Sequence, residues 1–460
     1  MKITNMVILI AALLSLCSCQ NNSYPDISVS ETLIDRITNK PGFLTISPDL
    51  RRLAYTVKFE NKEAVFADGK EKGRYDWAGM PVFSPDSNRL AYAARLGNKF
   101  FVVVDGKEGK RYDSTSGIKF SPDSKKAYYT AKSGNKWLLV IDGEEIGPYN
   151  FIVPAFSPDS KRLAYGAELD KKWFAVIDRV QDSKEYDDMI FIRFSPDSTR
   201  TAFWTGLDGK KFVVIDEKAE IERYDEVRYL VFSPDSRKTA YAARRGNKWM
   251  VVVNGKEGKE YDNTSRIYFS PNSNRIIYAA KLGKDKIVVI DRKESKRYKD
   301  IADLRFSPNS KKACYTAKLS NKWFAVVDGQ EKKRYDYIGK VVFSPDSMRM
   351  AYLAVLNDKW FIVINGKKGK DYDTLTSPVF SHDSDKIAYG AKMDNKWFLV
   401  INGKETRNYY DRIGIIGEIV NNKIIFDSNN NVHYLAHKGN NVHSVGEANI
   451  YSVALTLPIK

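Results

Sequence analysis

Two sets of residues in this chain have the types and spacing for chemistry. The first is the motif Ser-Pro-Asp-Ser, as at Ser84 to Ser87 and Ser233 to Ser236, with Asp or Asn in its third position. Its aspartate has the look of a catalytic carboxylate. However, a catalytic residue is needed once, whereas this one returns throughout the chain, as a turn residue would. The second set is the histidines, which number only 4. His382 replaces a motif proline, and His433, His437 and His443 cluster near the C-terminus. On a strand, His433 and His437 face the same side. With His443 or Asp427 as a third ligand they make a weak candidate metal site. The competing reading is an exposed, decayed terminal unit with scattered polar residues. No Gly-x-Ser-x-Gly elbow, His-Glu-x-x-His, P-loop or paired-cysteine zinc spacing occurs. The sequence therefore assigns no catalytic residue, implies no cofactor and leaves the binding residues unknown.

The elements that carry these residues are copies of one unit. The motif serine falls at Ser47, Ser84, Ser121, Ser157, Ser195, Ser233, Ser270, Ser307, Ser344 and Ser381, at intervals of 36 to 38 residues. A damaged eleventh copy spans Ile424 to Asn441. Each unit reads as four short strands. An apolar segment ends at the motif, and Ser-Pro-Asp-Ser makes a turn. A strand such as Lys161 to Ala167 follows, then a polar break such as Gly97 to Lys99. A third strand such as Lys322 to Gly329 ends in Asp-Gly or Asn-Gly, a hairpin signal. A segment like Lys333 to Ile338 completes the unit. The third strand is apolar at consecutive positions, Trp323 to Val327, which suits a strand with no wet face. These features predict an all-β fold, a β-propeller of four-stranded blades with about ten or eleven repeats. Uniform spacing favours one large ring over two smaller propellers. Leu33 to Thr38 resembles Tyr409 to Gly414, so the segment before the first motif is a possible ring-closing strand.

The run Phe156 to Tyr165, FSPDSKRLAY, resembles the WD-like propeller repeat of TolB-type periplasmic proteins. The same repeat occurs in the propellers of prolyl oligopeptidase-like and tricorn-like proteases. The resemblance spans 43–411 and implies the propeller fold without an activity. The chain departs from TolB in lacking a preceding α/β domain, in its larger repeat number and in its lipoprotein-like start. Neither Tol-complex membership nor a protease domain is implied.

Lys2, the apolar run Met6 to Leu16 and Leu16-Cys17-Ser18-Cys19 resemble a bacterial lipoprotein signal. The expectation is a signal peptide over 1–18 and a lipid on Cys19. Residues 19–42 then hold a tether and the closing strand. The propeller occupies 43–460, with ten clear repeats at 43–411 and a degenerate blade at 412–460. Cys314 reads as a small buried residue. The recurring Tyr-Asp pairs and the Trp set read as inter-blade packing. The net charge of +17 is spread over both ring faces and suits a soluble surface or an anionic ligand. No nucleic-acid motif accompanies it, so nucleic acid is not an expected partner.

The function these readings support is a lipid-anchored bacterial envelope scaffold that binds protein. Its expected place is the periplasmic face of the outer membrane or the cell surface. Its partner is an envelope protein or an anionic glycan or lipid. A glycan- or small-ligand-binding receptor is the alternative. An enzyme with a site on the propeller axis is the lesser one.

Overall fold

The computed structural model describes residues 28–37, 41–182, 184–406, 408–413, 424–439 and 448–456. They form eleven antiparallel sheets, each joined to the next in sequence. Blade 1 is Pro41–Ile46, Leu53–Phe59, Lys62–Ala67 and Lys70–Tyr75, paired in that order. Blades 2 to 10 repeat the plan and are numbered by their motif serines, Ser84 to Ser381. The Asp-Gly signal makes a tight turn with both residues left-handed, as at Asp105 (φ 51°) and Gly106 (φ 80°). Asp178 and Arg179 adopt the same turn without glycine (φ 51° and 69°).

The core lies between blades, not within them. A buried apolar cluster occupies every junction. Between blades 5 and 6 it joins Ala202 and Val213 to Tyr224, Tyr241 and Met250. This explains the unbroken apolar third strands, since both sheet faces are covered. One cluster joins blade 10 to blade 11 and another joins blade 11 to blade 1. The chain therefore closes as one eleven-blade ring, not two smaller ones. First strands of adjacent blades approach one another in several pairs, which places them around the axis. Fourth strands form the rim.

Blade 11 takes its fourth strand from the start of the chain. Ser28–Ile37 pairs antiparallel with Ala448–Thr456, from Ser28 opposite Thr456 to Ile37 opposite Ala448. Glu31 on this strand accepts the Tyr410 hydroxyl at 2.6 Å and Lys438 Nζ at 2.7 Å. The pairing covers an edge that would otherwise present free backbone groups. It also brings Ser28 in on the ring face that carries the motif turns.

Candidate functional site

The motif turn is a structural device. In blade 7 the Ser270 hydroxyl donates to Asn272 Oδ1 at 2.7 Å and accepts the Arg275 N–H at 3.0 Å. The Asn272 N–H then crosses to Ser310 Oγ of blade 8 at 2.9 Å. The same crossing runs from Asp49 to Ser87 at 3.1 Å, from Asp235 to Ser273 at 2.8 Å, and onward to Asn430 of blade 11. Each such bond contributes about 1 kcal/mol net. The fourth motif residue is left-handed so that its side chain meets the preceding blade, as with Ser273 at φ 64°. At the seam Leu50 occupies that position (φ 63°) and packs into the apolar cluster between blades 11 and 1. Hydrogen bonds within the turn lower the carboxyl pKa of Asp86, Asp123, Asp159, Asp197, Asp235 and Asp346. The Ser84 hydroxyl and the Asn88 amides keep the Asp86 carboxyl at about 2.

An arginine after the motif adds a second staple. Arg275 Nε donates to Asp291 at 2.8 Å and Nη1 donates to the Lys311 carbonyl at 3.0 Å. Its guanidinium lies 5.1 Å from the Phe306 ring centre. Arg52, Arg89, Arg162 and Arg200 repeat the arrangement. On the opposite face, Lys248 Nζ meets Asp262 at 2.6 Å, and that carboxylate accepts the Gly283 N–H of the next blade at 2.6 Å. The tyrosine before it is buried and reaches the next blade, as Tyr261 does to Glu294 at 2.9 Å. Many lysines of this face are thus paired with aspartates. Trp173, Trp249 and Trp397 are buried among the blades, and Trp77, Trp137, Trp323 and Trp360 are partly covered.

The histidines come to rest inside blade 11. His433 and His437 share the strand Val432–Gly439 and are 7% and 3% exposed. They are not an exposed decayed surface, because this second strand is sandwiched between blades 10 and 1. His433 Nε2 bonds Asp427 at 2.9 Å. Burial opposes ionisation of Asp427, yet His433 and Asn431 hold its carboxyl down at about 2. Neither ring nitrogen of His437 has a hydrogen-bond partner, and burial lowers its pKa. His382 Nε2 lies 3.1 Å from the Phe426 carbonyl. Among the described residues no three His, Cys, Asp or Glu side chains are grouped to hold a metal. His443 and Cys19 lie outside the described residues. Cys314 is fully buried, and its thiol is pushed up to about 12 by burial.

The region that breaks the repeat is the wall of the axial opening. Positions two and four before each motif serine lie on or between the short pieces of the first strand and stay accessible in most blades. In blades 5 to 9 they carry Phe191 and Arg193, Tyr229 and Val231, Arg266 and Tyr268, Asp303 and Arg305, and Lys340 and Val342. Arg193, Arg266 and Lys340 are exposed. Arg228 is stacked 3.6 Å from a Trp249 ring centre and bonds Asn263 and the Thr264 carbonyl of blade 7. Arg305 pairs with Asp303, which also accepts the Val341 N–H of blade 9 at 2.6 Å. Burial raises the Asp303 carboxyl despite that arginine. Tyr229 and Asp303 are left-handed, φ 61° and 55°, at bulges in their first strands. Such a conformation costs an aromatic side chain about 1–2 kcal/mol. The rest of the wall is more apolar, with Phe43, Met80, Val82, Val153, Ala155 and Val379, but it also carries exposed Lys119 and Ser377. Sequence reading pointed to the opening in general but to none of these residues. Stacking the repeats on their motif serines and reading two and four places back would have found them.

No family model and no curated protein matches this chain. Solved structures resemble it at low identity. A eukaryotic initiation factor is 11% identical with a TM-score of 0.40, covering 78% of this chain and 96% of that one. TolB from Acinetobacter baumannii is 13% identical with a TM-score of 0.25, over 53% and 75%. The Cps50 (Swd1) propeller domain of Myceliophteria thermophila is 11% identical with a TM-score of 0.27, over 55% and 96%. Likeness at this level speaks to neither activity nor partner.

Proposed function

We propose that this protein is a lipid-anchored scaffold of the bacterial cell envelope whose ring binds a protein partner at its axial opening. One observation carries the reading. The ring spends its repeated residues on inter-blade staples, while the accessible wall positions differ from blade to blade and include exposed Phe43, Met80, Phe191 and Tyr268. Accessible apolar side chains gathered around one opening suit a partner surface. The anchor is a lipid on Cys19, placed by the Leu16-Cys17-Ser18-Cys19 pattern. Ser28 enters on the motif face, so the segment that carries the anchor joins the ring from that side. Asp303, the acidic side chain among the wall positions of blades 5 to 9, is engaged by Arg305 and Val341, which favours binding over acid-base catalysis.

The test is a pull-down from detergent extract of the cell envelope at about 50 and 300 mM salt, since screening weakens exposed charge attraction over that range. Residues 20–460 serve as bait. One protein retained at both salts, and lost when Phe43 and Phe191 become serine, supports the scaffold. Glycan or lipid alone in the low-salt eluate replaces it with the receptor reading.

A further inference from the structure

The wall of the opening is not uniform, and its asymmetry describes a ligand. Exposed Arg193, Arg266 and Lys340 stand on three of the five successive blades 5 to 9, and the aromatic rings of Phe191 and Tyr268 share the same strands. Arginine presents a planar fork that matches a carboxylate. Between blades 7 and 8, on this same arc, a cleft of about 220 Å³ is lined by Thr264, Ala279, Ile301 and Leu304 and by Lys281 and Lys286. Thr264 is buried, and its Oγ1 has no hydrogen-bond partner. Arg228, which grips the Thr264 carbonyl, also keeps its Nε buried and unpartnered. The facing part of the wall offers apolar Phe43, Met80, Val82 and Val379 and one exposed cation, Lys119, against three on the arc of blades 5 to 9.

Resting on the scaffold reading, we propose that the opening takes an acidic amphipathic polypeptide segment. Its carboxylates lie along the arc of Arg193, Arg266 and Lys340. One apolar side chain enters the cleft beside Thr264, and its other apolar side meets the facing wall. A polysaccharide acid would satisfy the cations but leave the apolar wall and the cleft without a match.

The probe is a fluorescent amphipathic Leu/Glu peptide added to the whole chain, read by anisotropy, with poly-L-glutamate and polygalacturonate as competitors. The triple variant Arg193→Gln, Arg266→Gln, Lys340→Gln is compared with a rim control, Lys107→Gln, Lys256→Gln, Lys367→Gln, of equal charge change. At about 150 mM salt the wall triple is expected to weaken peptide binding about tenfold or more, and the rim triple to leave it unchanged. Both polymers are expected to compete more weakly than unlabelled peptide. The proposal is overturned if the rim triple weakens binding equally, if polygalacturonate competes as well as the peptide, or if wild type does not bind. Repeating the envelope pull-down with the wall triple separates the two readings. A partner held equally by wild type and the triple keeps the scaffold and removes this site. Peptide binding that depends on the wall, with no envelope protein retained, keeps the site and removes the scaffold.

Discussion

Ser270 and Arg266 are four residues apart on blade 7 and have opposite duties. Ser270 is fully buried, bonds within its own turn and belongs to a motif copied in ten blades. Arg266 is exposed between Asn263–Thr264 and Tyr268–Phe269, the two pieces of the first strand, and is matched by methionine, glycine or lysine in other blades. The difference teaches how a repeat protein divides its sequence. Side chains that reach the next blade must recur, because every junction poses the same geometric problem. Side chains that face the opening are free to differ, and only there does the ring stop being symmetric.

Damage to the ring itself should have the largest effect. Removing residues 1–37 strips the closing strand from Ala448–Thr456 and takes Glu31 from Tyr410 and Lys438. A large fall in melting temperature and self-association through the bared edge are expected, measured by calorimetry and sedimentation. A single staple should cost less. Ser236→Ala removes the acceptor of the Asp197 N–H and is expected to cost about 1–2 kcal/mol in denaturant titration without changing peptide affinity. Tyr229→Gly should act in the other direction. It relieves the left-handed tyrosine and is expected to raise stability by about 1 kcal/mol while weakening the peptide, a gain that a purely structural wall would not couple to lost binding.

The smallest effect concerns pH at the seam. His437 is buried and its pKa is lowered from 6.5 by burial, with Asp411 opposing and Arg412 adding to the shift. The unfolded chain therefore binds the proton more readily than the folded one. Stability is full above about 6.5 and declines as pH falls below it. His437→Leu is expected to flatten that part of the acid limb in melting temperatures measured between pH 7.5 and about 5. An unchanged slope would show that His437 is not its source.

Much of the architecture was legible because a repeat states its own period. The motif serines marked the blades, and the unbroken apolar run Trp323 to Val327 announced a strand covered on both faces. The single ring followed from even spacing. The wall was harder to read. Its strands are short and interrupted: in blade 2, Trp77–Ala78 and Val82–Phe83 are separated by Gly79, Met80 and Pro81. In blades 6 and 8 the alternation is shifted by bulges at Tyr229 and Asp303, which side-chain type does not signal. His433 and His437 share a face, as strand alternation requires. Their burial depended on neighbours brought from both ends of the chain.

The central claim is that repeated residues hold the ring and wall residues hold the partner. Its most direct test sets Arg266→Gln against Ser270→Ala in the same blade, measuring melting temperature and Leu/Glu peptide affinity on both. Arg266→Gln should keep the wild-type melting temperature and lose affinity, while Ser270→Ala should lose stability and keep affinity. Equal loss of affinity in both, or loss of stability alone in Arg266→Gln, would contradict the division between staple and wall.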